Sequence, residues 1–212
     1  MKPNHRSILL FLGGIVFTVS IVLFLSLTEI KVDAASQPTE HKLDVYYPGS
    51  EELGPNEMRV VALGTGMPNA RPKQAAACWL VELGNGDKFL FDIGTGSAER
   101  LSAMKIPYNH LNKVFIGHLH SDHFGDLDAL YCGGIVANRV VPLKVWGPSG
   151  KTPEYGTKAA MNHMEGMLKW DIDTRMGNTD TRGAFLEVTE FDHLGVNKVI
   201  YEENGVTIRT IP

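Results

Sequence analysis

The chain has 212 residues, a formal net charge of −4, 43% apolar side chains and 21% charged ones. This composition is typical of a folded globular protein and excludes a largely disordered chain. The acidic balance, without any run of clustered lysine and arginine, argues against nucleic acid as a partner, because contacts to phosphates need clustered cations.

The N-terminal segment has the pattern of an export signal. Lys2 and Arg6 precede an almost entirely apolar run at 7–27, and the small residues that follow end at Ala34. We therefore predict a signal peptide at 1–34 and an exported protein, either periplasmic or extracellular. The apolar run is also long enough to cross a bilayer, so an uncleaved transmembrane anchor is the alternative. Membrane contact is expected only through this segment.

A polar lead-in and a mixed α/β domain follow. Residues 35–56 are rich in proline and glycine, which is typical of a linker. The domain is predicted at 57–212, with hairpin turns at Asn85-Gly86 and Asn204-Gly205. Its predicted strands are 58–63, 77–83, 88–92, 113–117, 143–146, 185–191, 198–201 and 206–211. Its predicted helices are 97–104, 127–136 and 157–170, with a loop at 171–183.

Two further patterns argue against other cofactor chemistry. Cys78 falls in a predicted strand and Cys132 in a predicted helix, so buried free thiols are expected, with a disulfide as the alternative that export permits. No Cys-x-x-Cys or Cys–His pair is present to bind zinc. Gly64-x-Gly66 and Gly94-x-Gly96 each follow a strand but lack the third glycine of a dinucleotide site, so we interpret them as turns.

The segment Gly117–Asp126, called here the histidine loop, carries three of the eight histidines within six residues. It follows a predicted strand and precedes a predicted helix. His118 and His120 are two residues apart, so in an extended segment both point to one side and can bind one cation. Asp122 and His123 come next and suit a second cation. The alternative is a polar surface loop that happens to be rich in histidine.

Imidazole and carboxylate ligands together favour zinc, with manganese or iron as alternatives. An open coordination position would lower the pKa of a bound water to about 7 and so provide hydroxide at neutral pH. Two ions would stabilise both the attacking and the leaving oxygen of a hydrolysis. The chemistry predicted for the histidine loop is therefore metal-dependent hydrolysis.

The spacing His118-x-His120-x-Asp122-His123-x-Gly125 resembles the signature of the metallo-β-lactamase superfamily. Two flanking stretches resemble its ribonuclease Z and arylsulfatase-like branch. They are Leu63-Gly64-Thr65-Gly66, with Pro68 and Arg71, and Phe89-Leu90-Phe91-Asp92-Ile93-Gly94. The resemblance covers the chain from about Met58 to its end. Within the branch, the chain is similar to the hydrolases of guanitoxin biosynthesis.

The resemblance implies a four-layer αβ/βα sandwich, of which this chain carries mainly the N-terminal half. It also implies two zinc ions in a complete site, which takes a third histidine, a bridging aspartate and a last histidine from the second half. No position before Pro212 matches these, so the domain is expected to be incomplete at its C-terminus and the sequence a fragment. The late histidine, His193, is a ligand candidate that does not match the motif. Asp92 is implied to hydrogen-bond the histidine loop from behind, with a helix cap or a turn as the alternative role.

We therefore predict a metallo-hydrolase in which a metal-activated water attacks an ester-type substrate, such as a phosphodiester, a sulfate ester or a lactone. Asp122 is the catalytic candidate, because it can bind a metal and also orient the nucleophile. The predicted partner is a small ester-like molecule, and a homodimer is left open. The alternative function is a non-catalytic metal-binding or interaction domain, a truncated half of the fold.

Overall fold

The computed structural model describes residues 52–69 and 71–211. The predicted signal peptide or anchor at 1–34, and residues 35–51 of the predicted lead-in, lie outside the described residues and stay predictions. Within the described ranges, no helix is both long enough and apolar enough to cross a membrane.

Six strands form one mixed sheet, and their order in the sheet follows the sequence. The strands are β1 (Met58–Gly64), β2 (Cys78–Leu83), β3 (Lys88–Phe91), β4 (Lys113–Phe115), β5 (Leu143–Pro148) and β6 (Leu186–Phe191). Strands β1 to β3 pair antiparallel, whereas β3 to β6 are parallel neighbours. Because parallel neighbours need long crossover connections, helices join them. The predicted mixed α/β class is confirmed.

In the described part of the chain, the three longer helices lie in these crossovers at the predicted positions, with one corrected end, and a short helix that was not predicted forms within the histidine loop. They are α1 (Ser97–Ala103), α2 (Ser121–Phe124), α3 (Leu127–Val136) and α4 (Thr157–Arg175). The prediction of a loop from residue 171 was wrong, because α4 continues to Arg175. The ion pairs Lys169–Asp173 at 2.7 Å and Asp171–Arg175 at 2.9 Å, each one helical turn apart, support the added turn.

One face of the sheet packs against the helices and forms the main core. Alternate strand residues point to this face, and those at its centre are at most 1% exposed: Leu80, Leu90, Val114 and Val145. Tyr131 and Ile135 of α3 and Met161 of α4 pack against them. Each buried side chain of this size contributes about 1.5–3 kcal/mol, so this core fixes the strand ends that carry the histidine loop.

The opposite face is aromatic and is covered by a hairpin of β7 (Val199–Glu203) and β8 (Val206–Arg209). The predicted turn at Asn204-Gly205 joins these strands, with φ values of 51° and 76°. On the sheet, Phe115 stacks on Trp146 with ring centroids 4.6 Å apart. Tyr201 of β7 meets both rings edge-on. The sheet is therefore enclosed between helices on one side and this hairpin on the other.

Both cysteines are free, as predicted. Burial raises the pKa of the Cys78 thiol to about 12 and that of Cys132 to about 11. Both side chains therefore stay protonated near neutral pH and behave as packing residues rather than as nucleophiles.

Candidate metal centre

The histidine loop begins where two parallel strands end side by side. Phe91 and Phe115, the last residues of β3 and β4, are partners in the register of the sheet. The backbone N–H of Asp92 donates to the carbonyl of Phe115 at 2.8 Å. Asp92 and Gly117 therefore leave the sheet at the same edge, and the carboxylate of Asp92 lies beside the start of the loop.

The first two histidines of the loop contact each other. The Nε2 atom of His118 lies 3.0 Å from the Nδ1 atom of His120, and both residues are exposed. Two nitrogen ligands on one tetrahedral zinc ion, at Zn–N distances of about 2.0–2.1 Å, would be roughly 3.3 Å apart. This pair is therefore spaced as two ligands of one ion.

The pKa of His118 is lowered from its ordinary value, first by partial burial and then by the neighbouring rings of His123 and His120. Lowering the pKa of His118 favours its neutral imidazole near neutral pH. Neutral imidazole is the form that binds a metal ion.

Asp122 and His123 form a second pair within the short helix α2. The Oδ2 atom of Asp122 lies 3.7 Å from the Nε2 atom of His123. The Oδ1 atom of Asp122 is buried and accepts no hydrogen bond in the described part of the chain. A buried carboxylate oxygen without a partner is costly, and a bound cation would compensate for it.

Asp92 holds the histidine loop from behind with both carboxylate oxygens. Its Oδ1 atom accepts the backbone N–H of Gly117 at 2.8 Å, and its Oδ2 atom lies 2.7 Å from Nδ1 of His123. With Nδ1 directed to a carboxylate, Nε2 of His123 is left free to face Asp122 and a metal ion. The contact that the resemblance implied is present, and the role of Asp92 towards a metal stays a prediction.

The start of α1 is capped by Asp126 and not by Asp92, whose alternative predicted role was a helix cap. The Oδ2 atom of Asp126 accepts the backbone N–H of Ala98 at 2.9 Å and so satisfies a free donor at the start of α1. Sequence reasoning placed Asp126 in the histidine loop but gave it no role. Asp126 and Ala98 are 28 positions apart, so no local pattern could reveal the contact.

The second glycine pair combines a turn, as predicted, with a close approach. Gly96 has a φ of 83°, in the left-handed region that favours glycine. A Cβ atom at Gly94 would collide with the carbonyl of Asp122 and with the side chain of Ala76. Gly94 therefore allows the chain that leaves β3 to lie directly against the histidine loop.

The two pairs of predicted ligands adjoin one another, because the ring centroids of His118 and His123 are 3.9 Å apart. Within the described residues, no group of three or more His, Cys, Asp or Glu side chains is arranged as a metal site. Zinc is usually four-coordinate, so each pair fits as part of a coordination shell. His193 lines the same cavity of about 340 Å³ as Asp92 and Gly117, but its Nδ1 atom lies near its own neighbour, 3.8 Å from Oδ1 of Asp192.

Comparison with known proteins places this site in a family. The family model described as anti-Pycsar protein Apyc1 matches residues 58–142. Ribonuclease Z of Mycobacterium avium is 33% identical over 158 residues, which cover 73% of this chain and 53% of that protein. Zinc phosphodiesterase ELAC protein 1 of Homo sapiens is 29% identical over 158 residues, which cover 71% of this chain and 42% of that protein. The chain therefore spans about half the length of the curated relatives it matches.

Solved structures also overlap this chain in part. The crystal structure of human tRNase Z, short form, has a TM-score of 0.44 at 25% identity and covers 62% of this chain and 44% of its own. The metallo-β-lactamase fold protein YhfI from Bacillus subtilis has a TM-score of 0.48 at 16% identity, with coverages of 68% and 50%.

The expectation that argued against nucleic acid was wrong, because relatives of this chain are named as ribonucleases. The net charge of −4 averages over the whole chain and does not report how cations are distributed on the surface. A bound zinc ion would also attract phosphate by its own charge.

The particular resemblance to guanitoxin-biosynthesis hydrolases stays a prediction. The sequence similarity to ribonuclease Z and to the ELAC phosphodiesterase covers the histidine loop and both flanking stretches. The chain belongs to the ribonuclease Z branch of the metallo-β-lactamase superfamily.

Proposed function

We propose that this chain carries a zinc-dependent phosphodiesterase centre and that its substrates are phosphodiesters of RNA. The observation that carries the proposal is the pairing of ligand atoms in the histidine loop. His118 and His120 are 3.0 Å apart, and Asp122 and His123 are 3.7 Å apart at the atoms that would face a metal. The names of the relatives, ribonuclease Z and zinc phosphodiesterase, support the choice of reaction and substrate.

Each of the four predicted ligands in the histidine loop has a proposed task. Nε2 of His118 and Nδ1 of His120 would hold one ion, and Oδ2 of Asp122 and Nε2 of His123 would hold the other. Zinc bound there would supply Lewis-acid chemistry to the phosphoryl group and activate water, and manganese or iron are the alternatives.

Asp122 has a second proposed task as the catalytic carboxylate. One oxygen of its carboxylate would bind the ion, and the other would orient the attacking water and accept its proton. Oδ1 has no hydrogen-bond donor among the described residues that would compete for it. Asp92 keeps His123 in the tautomer whose Nε2 atom faces outward. The orientation of this pair is therefore set before a substrate arrives.

A second candidate is a metal-binding domain without catalysis. The observation that favours it is that the four ligands give only two donors to each ion in the part of the chain the structure describes. An ion held by two side chains exchanges easily, and a substrate would then meet too little fixed charge for hydrolysis.

The test uses the 212-residue chain, purified without chelator in mild detergent because of its apolar N-terminal run. Zinc per chain is measured by elemental analysis, and hydrolysis is followed on bis(p-nitrophenyl) phosphate and on a labelled RNA. A sulfate ester and a lactone are included as the competing substrate classes. We expect zinc to be bound and both phosphodiesters to be cleaved.

The decisive variant is Asp122→Asn, with Asp128→Asn as its control. Asp128 accepts the N–H of its own neighbour Ala129, outside the ligand pairs. We expect Asp122→Asn to lower kcat/KM by about 10²-fold or more and Asp128→Asn to leave it unchanged. Bound zinc without hydrolysis of any substrate would instead favour the second candidate.

We also propose that residues 7–27 direct export or anchor the protein in a membrane. The support is the basic start and the apolar run of the sequence. Sequencing the N-terminus of the protein isolated from cells tests this. A mature start at Ala35 indicates cleavage, an intact N-terminus in the membrane fraction indicates anchoring, and an intact N-terminus in the soluble fraction would contradict both.

A further inference from the structure

Arg71, Lys73 and Arg100 form an exposed group of cations, called here the basic patch. Arg71 and Lys73 lie in the connection between β1 and β2, whereas Arg100 belongs to α1. An Nη2 donor of Arg100 bonds the carbonyl oxygen of Lys73 at 2.9 Å, so the two segments are in direct contact. Arg71 and Arg100 also line one cavity of about 490 Å³, together with Glu99.

The cations of the basic patch have no carboxylate partner among the described residues. Seven other cations of the described chain each lie within 3.8 Å of a carboxylate: Arg59, Lys88, Lys113, Lys144, Lys169, Arg175 and Arg182. Among the same described residues, no carboxylate lies that close to Arg71, Lys73 or Arg100. The positive charge of the basic patch is therefore available to an external anion.

The two guanidinium groups are held in place by neutral partners. Nη1 of Arg71 donates to Oε1 of Gln74 at 3.0 Å, and Nε2 of Gln74 donates to Oγ1 of Thr65 at 3.2 Å. Each guanidinium has five N–H donors and uses only part of them in these contacts. The remaining donors suit the bidentate recognition of a phosphate group.

Backbone hydrogen bonds connect the basic patch to the histidine loop. Ala76 donates to the carbonyl of Thr95 at 2.9 Å, and Ile93 donates to the carbonyl of His123 at 2.7 Å. An atom built at Cβ of Gly94 would collide both with the carbonyl of Asp122 and with the side chain of Ala76, so the segment after the basic patch lies directly against the histidine loop. Asp126 fixes the start of α1, which carries Arg100. The basic patch and the ligand pairs are therefore carried by segments that contact one another.

We propose that the basic patch binds backbone phosphates of an RNA substrate next to the phosphodiester at the histidine loop. The proposal rests on the proposed function and adds the place where a polymer substrate is held. A small phosphodiester lacks the further backbone phosphates that the basic patch would bind, so its hydrolysis should not depend on these residues. RNA binding does depend on them, through the release of counterions from the phosphates.

The experiment compares two triple variants of the full chain that remove equal charge. One is Arg71→Ala/Lys73→Ala/Arg100→Ala, and the control is Lys151→Ala/Lys158→Ala/Lys198→Ala at exposed lysines elsewhere. Binding of a fluorescein-labelled single-stranded RNA is measured by anisotropy between 50 and 200 mM salt, without zinc, so that no cleavage occurs. Hydrolysis of bis(p-nitrophenyl) phosphate is measured separately with zinc.

We expect the basic-patch variant to lower the slope of log K against log salt by about 2, since each phosphate contact on a single strand contributes about 0.7. Its affinity at low salt should fall about 10-fold or more, with hydrolysis of the small substrate unchanged. The control should change the slope by less than the contribution of one phosphate contact, which is about 0.7. Arg71→Lys/Arg100→Lys, which keeps both charges, should retain the slope.

An equal change of slope in both triple variants, or no RNA binding by the wild type, would overturn the proposal. Failure of the proposed function gives a different result, because the zinc-loaded wild type would then cleave neither substrate while RNA binding is still measured. Thermal unfolding of each variant confirms that it is folded before it is compared.

Discussion

The two ligand pairs of the histidine loop are held in different ways. His123 is bonded through its carbonyl to Ile93 and through its ring to Asp92. The ring of His118 contacts the rings of His120 and His123, all within the loop itself. The neighbouring strand end therefore sets the geometry of the second pair, whereas a bound ion would have to fix the first. The second pair is therefore preorganised. Substitutions at the strand end that holds it should change metal binding at both pairs.

Of the substitutions near the Asp122–His123 pair, Gly94→Ala is expected to have the largest effect. The added Cβ atom would collide with the backbone of Asp122, which cannot move without displacing the histidine loop. We expect a loss of about 3 kcal/mol in the free energy of unfolding and the loss of most bound zinc. Chemical denaturation and elemental analysis measure the two effects.

The matched control is Gly166→Ala on the exposed side of α4, where an added Cβ atom meets no atom within 4 Å. Alanine is the better helix former, so this variant should be more stable by about 0.5–1 kcal/mol and should bind zinc normally. Equal zinc content in the two glycine variants would contradict the importance of the close approach at Gly94.

A smaller effect is expected for Asp92→Asn, which keeps the shape of the side chain but removes its charge. Removing a carboxylate that orients a ligand histidine typically lowers metal affinity by about 10–100-fold. We expect that loss in a competition titration with a zinc chelator, because the contact to His123 at 2.7 Å is the one that changes.

The same titration on Asp128→Asn, which leaves the ligand pairs untouched, should give the wild-type affinity. If Asp92→Asn also bound zinc as tightly as the wild type, the difference between the two pairs would not come from Asp92.

The smallest effect is expected for Asp126→Ala, which removes the cap of α1 without touching a ligand. Loss of an N-terminal cap costs about 1 kcal/mol, so the midpoint of denaturation should fall slightly. Zinc affinity should remain close to that of the wild type. A large loss of zinc affinity in this variant would mean that Asp126 supports the ligand pairs directly and not only α1.

Local chemistry was sufficient to predict most of the fold. Asn85-Gly86 joins β2 and β3, and α3 occupies the predicted range 127–136, because turn residues and apolar runs act over a few positions. The prediction failed at the end of α4, where polar composition indicated a loop. The pairing of Asp171 with Arg175 gives that polar stretch a reason to stay helical.

In the candidate site, too, contacts between residues close in sequence could be predicted and contacts between distant residues could not. Residues 118, 120, 122 and 123 lie together because their spacing is local. The hydrogen bond between His123 and the carboxylate of Asp92 spans 31 positions, and the contact of Arg100 with Lys73 spans 27. Such contacts depend on the register of β3 beside β4 and on where α1 packs. The absence of clustered cations in the sequence therefore did not exclude the basic patch on the surface.

Because Trp146 lies beneath the β7–β8 hairpin, its fluorescence can report on the position of that hairpin. Trp146 is 8% exposed, whereas Trp79 and Trp170 are 42% and 77% exposed. A shielded indole emits at shorter wavelength than a hydrated one, so the blue edge of the fluorescence spectrum belongs mainly to Trp146. Any event that lifts the hairpin from the aromatic face would shift that edge to the red, and it would do so without a label.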